Sequence, residues 1–168
     1  PESIGKGVLV VMNDTINSSA EVTKTHTMSL DTFKSIEFGP LGMIDHNEVI
    51  YYRGRVHTKD YKLTNEINDD TYLIKVHAGM DGRLIDYVVS EGAKGIVLET
   101  LGRGNVPAVM LSSIKDAIDK GIHIVLVSRC YSGRVLDTYA YPGGGKDLTG
   151  LGCVLGGSFN GQKARILL

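Results

Sequence analysis

Cysteine is scarce: Cys130 and Cys153 are the whole complement of a 168-residue chain. Two thiols so far apart exclude a disulfide framework and a zinc-ligand set, and two free, buried cysteines are the expectation. An excess of charge of either sign is also lacking. There are 18 basic residues against 19 acidic ones, for a net charge of −1, and no long basic run marks a nucleic-acid footprint. No apolar stretch approaches the ~20 residues of a helical membrane span, so neither nucleic acid nor a membrane is expected as a partner. The five histidines, at positions 26, 46, 57, 77 and 123, show no metal-ligand spacing; no metal and no cofactor are expected. His123, between Ile122 and Ile124, is expected to pack within a strand rather than to do chemistry. The 21 glycines follow no period, which excludes collagen-like and repeat architectures. What remains, 42% hydrophobic and 22% charged residues, is the composition of an ordinary globular protein.

Pro1 stands where a methionine would, and the chain closes on Asn160-Gly161-Gln162-Lys163-Ala164-Arg165-Ile166-Leu167-Leu168, a helix start with Asn160 as its N-cap. A chain cut at both ends is the expectation. Near the beginning, Val8-Leu9-Val10-Val11-Met12 has the length and β-branched content of a buried strand. Asn13-Asp14-Thr15 breaks it with turn-forming side chains. Asn17-Ser18-Ser19-Ala20 reads as a small polar loop, after which Glu21-Val22-Thr23-Lys24-Thr25 resumes in extended form. From Thr32 to Tyr52 the chain is β-rich, with strands over Phe33–Phe38, Leu41–Ile44 and Glu48–Tyr52 and a hairpin turn at Asp45-His46-Asn47. Residues 53–71 are charged and polar without periodicity, the signature of an inter-domain linker.

A regular alternation then sets in over residues 72–168. Strands are expected at Tyr72–His77, Gly95–Glu99 and Ile122–Ser128. Between them lie two helical patterns. Leu84, Ile85, Val88 and Val89 line one face of the first, which Gly92 closes; Pro107 opens the second, in which Met110 or Leu111, Ile114, Ala117 and Ile118 form the buried stripe before Gly121. Successive βα units of this length call for a parallel, helix-flanked sheet. Ligands meet such sheets at the C-terminal ends of the strands, which singles out the loops His77–Asp81, Thr100–Val106 and Arg129–Asp137. Neither nucleotide motif holds. Gly102-Arg103-Gly104 lacks the third glycine of a dinucleotide fingerprint because Pro107 occupies its place. Gly143-Gly144-Gly145-Lys146 has Ala140 for the first glycine of a phosphate loop and Asp147 for its Ser or Thr.

A lone lysine such as Lys24 is ordinarily a solvated side chain. Its neighbourhood gives it another reading. Asn13-Asp14-Thr15, Val22-Thr23-Lys24-Thr25, Thr32-Phe33-Lys34-Ser35 and Phe38-Gly39-Pro40-Leu41-Gly42, followed by Gly102-Arg103-Gly104-Asn105, Val127-Ser128-Arg129 and Gly161-Gln162-Lys163-Ala164-Arg165, form an ordered set. That set resembles the bacterial L-asparaginases of the periplasmic or secreted type. The resemblance implies an α/β fold in which residues 1–52 end an N-terminal α/β domain, 53–71 link, and 72–168 form a smaller, C-terminally incomplete parallel-sheet domain.

It also implies hydrolysis of L-asparagine to L-aspartate and ammonia by a threonine nucleophile, with no metal or cofactor. The nucleophile, a tyrosine and a Thr-Asp pair would lie upstream of Pro1, so the chain alone is expected to be inactive. Lys24 carries over as a catalytic proton-handling group. Asn105 carries over as a substrate contact reaching a neighbouring subunit's site, which implies a homo-oligomer, a dimer of dimers. The family's glutamate after the Ser128-Arg129 strand end has no counterpart, and Tyr139 stands nearby as its substitute in substrate binding. A periplasmic or secreted location follows from the same likeness, with a cytoplasmic one as the alternative. Other readings are a glutaminase-asparaginase, the amidase subunit of a transfer-RNA amidotransferase, or a non-catalytic truncated α/β fragment.

Overall fold

A computed structural model describes residues 1–56, 59, 61, 64 and 66–168. The chain divides into two units, Pro1–Leu63 and Thr64–Leu168.

In the first unit, β1 (Leu9–Met12) and β2 (Thr15–Ser18) form a hairpin with Met12 opposite Thr15. Asn13 and Asp14 make its two-residue turn at φ of 49° and 56°. Such a turn matches the natural twist of paired strands, and Asn and Asp are among the few side chains that tolerate it. The Thr15 hydroxyl donates to the Met12 carbonyl at 2.8 Å. Asn17 and Ser18 therefore belong to a strand and are buried, which corrects the loop expected over Asn17–Ala20. β2 pairs with β5 (Gly42–Asp45), and β5 with β6 (Glu48–Tyr51) across a turn where His46 takes φ of 51°. The sheet runs β1-β2-β5-β6, all antiparallel.

The apolar run expected to be a buried strand is the sheet's edge, with Val8 73% and Val11 50% exposed. Composition matched a buried strand, but an edge strand has a neighbour on one side only. Of the expected strand Phe33–Phe38, only β4 (Phe33–Lys34) pairs, with β3 (Thr23–Lys24), in a separate two-stranded ribbon.

The second unit contains β7 (Thr71–Lys75), β8 (Gly95–Thr100), β9 (His123–Ser128) and β10 (Val154–Leu155) in the spatial order β10-β9-β8-β7, all parallel. The helices α1 (Arg83–Ser90), α2 (Leu111–Asp119), α3 (Gly145–Leu151) and α4 (Gly161–Leu167) fill the crossovers and the end, and a 3₁₀ turn over Ala108–Met110 leads into α2. Side chains alternate faces along a strand, and the core splits accordingly. Ile74, Ile96, Leu98, Ile124 and Leu126 pack with Ile85 and Val88 of α1, Ile114 and Ala117 of α2 and Leu148 of α3. On the other alternation, Val97 and Val127, with Leu73 and Val125, pack against Ala164 of α4 and Phe159. Two-sided cover explains the nearly continuous apolar sequence of β8 and β9.

The helices α1 and α2 end before Gly92 and Gly121, each at positive φ. Asn160 caps α4 by accepting the Lys163 amide at 3.0 Å. Three expectations need correction. Leu84 lies outside the buried stripe of α1, since only Ile85 and Val88 turn fully inward. His123 is exposed, because it opens β9 on the alternation opposite to Ile122 and Ile124. Both cysteines are free, but Cys130 lies in the exposed loop after β9 and only Cys153 is buried.

Candidate functional site

Lys24 sits on the two-stranded ribbon of the first unit, opposite Phe33. It is exposed, and its Nζ lies 5.2 Å from the Phe33 ring centroid, a cation–π arrangement. Two residues per strand make a weak ladder, so polar contacts on three sides hold the ribbon. At its tip the Thr25 amide and hydroxyl both donate to the Thr32 carbonyl, at 2.8 and 2.9 Å. The Thr32 hydroxyl accepts from the His26 amide at 2.8 Å and donates to the His26 carbonyl. His26 Nδ1 accepts the Met28 and Ser29 amides at 3.0 Å each. On the outer face, hydrogen bonds from Lys34 and Ser29 hold the Asp31 carboxyl down to about 2.

Buried polar groups anchor the base. The Ser35 hydroxyl donates to Asn17 Oδ1 at 2.8 Å. The Glu21 carboxylate, with no side-chain exposure, accepts Arg53 Nη2 at 2.5 Å and the Val56 amide at 2.8 Å. Arg53 also donates to the carbonyls of Gly54, at 2.9 Å, and Gly39. The hydroxyls of Thr25 and Thr32 are thus committed to the ribbon's own backbone. Sequence reasoning singled out Lys24 and missed Glu21 and Arg53. No local signal links two charges separated by 32 residues in sequence.

In the second unit, the loops after β8 and β9 meet beyond the C-terminal ends of those strands. The loop after β8 is pinched shut by a bridge between Leu101 and Asn105. The Ser128 hydroxyl donates to the Gly102 carbonyl at 2.5 Å, and the Arg129 amide to Thr100 at 3.1 Å. The Leu136 amide donates to Arg103 at 3.0 Å, and the Val106 amide to Gly143 at 2.9 Å. Asn105 sits half-buried in this weave. Its Nδ2 donates to the Leu101 carbonyl at 3.5 Å, and its buried Oδ1 has no donor among the described residues. Tyr139 lies on the neighbouring loop with its ring 5.6 Å from that of Tyr141, both exposed. The loop cluster brings Asn105 and Tyr139 into one unit, while Lys24 belongs to the other.

Gly143-Gly144-Gly145 serves this weave. A Cβ at any of the three would lie within 3.0 Å of a backbone oxygen: of Val106 for Gly143, of Tyr139 and Tyr141 for Gly144, and of Leu136 for Gly145. The Gly143 amide, which a phosphate would need, donates instead to the Asp147 carboxylate at 2.9 Å. The triplet is a close-packing device. Beyond β7, the third loop forms an open cavity of about 350 Å³ lined by His77, Gly79, Met80, Asp81, Arg83 and Leu84. There, hydrogen bonds from the Arg83 amide and side chain hold the Asp81 carboxyl below its usual range. Among the described residues, no group of three or more His, Cys, Asp or Glu side chains could hold a metal ion, and no helix is long and apolar enough to cross a membrane.

Residues 70–168 match the family model for the glutaminase/asparaginase C-terminal domain, and residues 1–57 match the N-terminal asparaginase model. The chain belongs to the asparaginase family. It is 35% identical over its whole length to an L-asparaginase of Bacillus licheniformis, of which it covers 52%. It is 38% identical to L-asparaginase 2 of Bacillus subtilis, again over its whole length and covering 44% of that protein. A glutamyl-tRNA(Gln) amidotransferase subunit of Pyrococcus furiosus is 36% identical over 71% of the chain, which covers 28% of it. The chain thus spans about half the length of the asparaginases it matches. Its mixed fold, an antiparallel sheet unit followed by a parallel α/β unit, is that of the family's two domains in their order.

Proposed function

We propose that the protein to which this chain belongs is an L-asparaginase, hydrolysing L-asparagine to L-aspartate and ammonia. The observation that carries the reading is the ordered match of both asparaginase domain models along one chain. A threonine outside residues 1–168 supplies the nucleophile. Its hydroxyl oxygen bonds to the side-chain amide carbon, the C–N bond breaks, and nitrogen leaves as ammonia after taking a proton. Water then attacks the acyl-enzyme, releases aspartate and returns the proton to the threonine.

Lys24 handles that proton. A lysine suits the task because its ammonium can hold a threonine hydroxyl by a charged hydrogen bond and its neutral amine can accept that hydroxyl's proton. Its ribbon presents the ammonium at an exposed position, where a partner segment has access to it. Asn105 and Tyr139 hold the amino-acid end of the substrate in a neighbouring subunit's site. The Oδ1 of Asn105, an acceptor with no donor among the described residues, suits an ammonium donor. That division of labour requires an oligomer; a dimer of dimers and a periplasmic or secreted location belong to the same proposal.

The test is ammonia release from asparagine and glutamine by the intact protein and its Lys24→Met variant. The variant should lose roughly 10²–10⁴-fold in kcat with little change in KM, because proton transfer is not uniform binding. Near-normal turnover returns Lys24 to the solvated lysines. A preference for glutamine-derived substrates would favour the amidotransferase reading, which the similarity to the Pyrococcus furiosus protein supports. The chain by itself should release no ammonia, since the two threonines that flank Lys24 lie beside it along an extended segment whose side chains alternate faces.

A further inference from the structure

We propose that Glu21 and Arg53 are positioning residues for Lys24. The ribbon that carries Lys24 has only two paired residues per strand. Its fixed point is Glu21, three residues before Lys24, whose carboxylate has no exposure. One oxygen takes Arg53 Nη2 at 2.5 Å and the other the Val56 amide at 2.8 Å. Arg53 in turn grips two separate carbonyls, Gly39 just after the ribbon and Gly54 just after β6. One guanidinium therefore joins the segment before Lys24, the segment after its partner strand and the end of the sheet. Between Glu21 and Lys24 lies Val22, buried, so the chain has no slack over those three residues. Any displacement of the Glu21 carboxylate moves the Lys24 backbone with it.

Arg53 sets two nitrogens apart, Nη2 on Glu21 and Gly39 and Nη1 on Gly54, whereas a lysine offers a single nitrogen. In Arg53→Lys the buried carboxylate keeps a counter-charge, but the bonds to Gly39 and Gly54 cannot both survive. Glu21→Gln keeps the shape of the carboxylate and removes its charge. In neither variant is Lys24 itself altered.

The inference rests on the asparaginase reading for its kinetic arm only. In the intact protein, Arg53→Lys and Glu21→Gln should lower kcat on asparagine about tenfold to a hundredfold, the range that a misplacement of about 1 Å produces, while KM stays within about twofold. Asp31→Asn, which removes an exposed ion pair on the same ribbon, should leave kcat within about twofold. A second arm reads hydrogen exchange at the Thr25 amide, which donates to Thr32 across the ribbon at 2.8 Å. Exchange there should quicken at least about tenfold in Arg53→Lys, as the local opening free energy falls by the bonds lost, with the Ile96 amide of the second unit unchanged. The proposal is overturned if kcat holds in both variants, if Asp31→Asn lowers it equally, or if Thr25 exchange stays unaltered. Should the intact protein turn over neither amide, the asparaginase reading fails, and positioning is decided by the exchange arm alone.

Discussion

Replacing Gly143, Gly144 and Gly92 by alanine, one at a time, separates two costs that glycine hides. Gly92 has φ of +90° with nothing within 4 Å of where a Cβ would stand. Gly92→Ala should cost only the left-handed backbone, about 1–2 kcal/mol. Gly144 has ordinary extended dihedrals, φ −76° and ψ 160°. Its Cβ would meet the Tyr139 and Tyr141 carbonyl oxygens inside 3.0 Å. Both are backbone atoms held by hydrogen bonds from Lys146 and Gly144 themselves, so neither yields easily, and the overlap should cost about 3 kcal/mol, the upper end of overpacking. Gly143, with φ of +86° and the Val106 carbonyl in its way, bears both costs, about 4–5 kcal/mol. A domain's whole stability is about 5–15 kcal/mol, so Gly143→Ala should leave the second unit barely folded.

A probe confined to that unit is available in Cys153, which is buried in its core. In a Cys130→Ser background, thiol labelling against urea reads the opening of the second unit alone. At a mid-range m of about 2 kcal/mol/M, the midpoint should fall by roughly 0.5–1 M for Gly92→Ala, about 1.5 M for Gly144→Ala and about 2–2.5 M for Gly143→Ala. If Gly143→Ala proves no worse than Gly92→Ala, the close approach of backbones is not what the triplet is for.

Burial pushes the Cys153 thiol up to about 12, so it stays protonated at neutral pH; native protein should titrate one fast thiol with Ellman's reagent, and Cys130→Ser should abolish that phase. Asn160→Ala removes the only side-chain cap among the four α-helices described and should cost the second unit about 1 kcal/mol, read by the same labelling assay. Asp31, held at about 2 against an ordinary 3.8, should keep its ion pair with Lys34 through mild acid. A lowered carboxyl pKa contributes above the unfolded value and is lost as pH falls toward 2; carboxyl carbon shifts followed by NMR should place the midpoint there, and a midpoint near 3.8 would refute it.

The second unit was largely legible from sequence because its signals are local. The change from strand to helix period, glycine after each long helix and Asn160 before the last one are each decided by neighbours a few residues apart. The turn at His46 was legible for the same reason. Edge status was not: β1 and a buried strand share one composition, and what distinguishes them is how many strands lie alongside. The continuation of β2 through Asn17 and Ser18 was hidden because both residues favour turns in isolation, and a buried bond from Ser35 reverses that preference for Asn17. Lys24 was found through resemblance to a family, since nothing in charge or spacing sets it apart. Glu21 and Arg53 were invisible to local reading, one in a short polar run and the other at the head of a stretch with a linker's texture.

The placement of α4 bears on how the second unit comes into being. Its seven residues cover the sheet face made by Leu73, Val97, Val125 and Val127, and Arg165 Nε reaches back 94 residues to the Thr71 carbonyl at 2.7 Å. Seven helical residues do not persist in water by themselves, so residues 161–167 are held by docking on strands already assembled. Those strands lie side by side in chain order and have their other face covered by α1 and α2. At about 5–20 residues per second on the ribosome, roughly 2–8 s separate the completion of β9 from the arrival of Leu167. For that interval the nascent sheet carries the apolar side chains of Leu73, Val97, Val125 and Val127 without the cover that α4 later gives them.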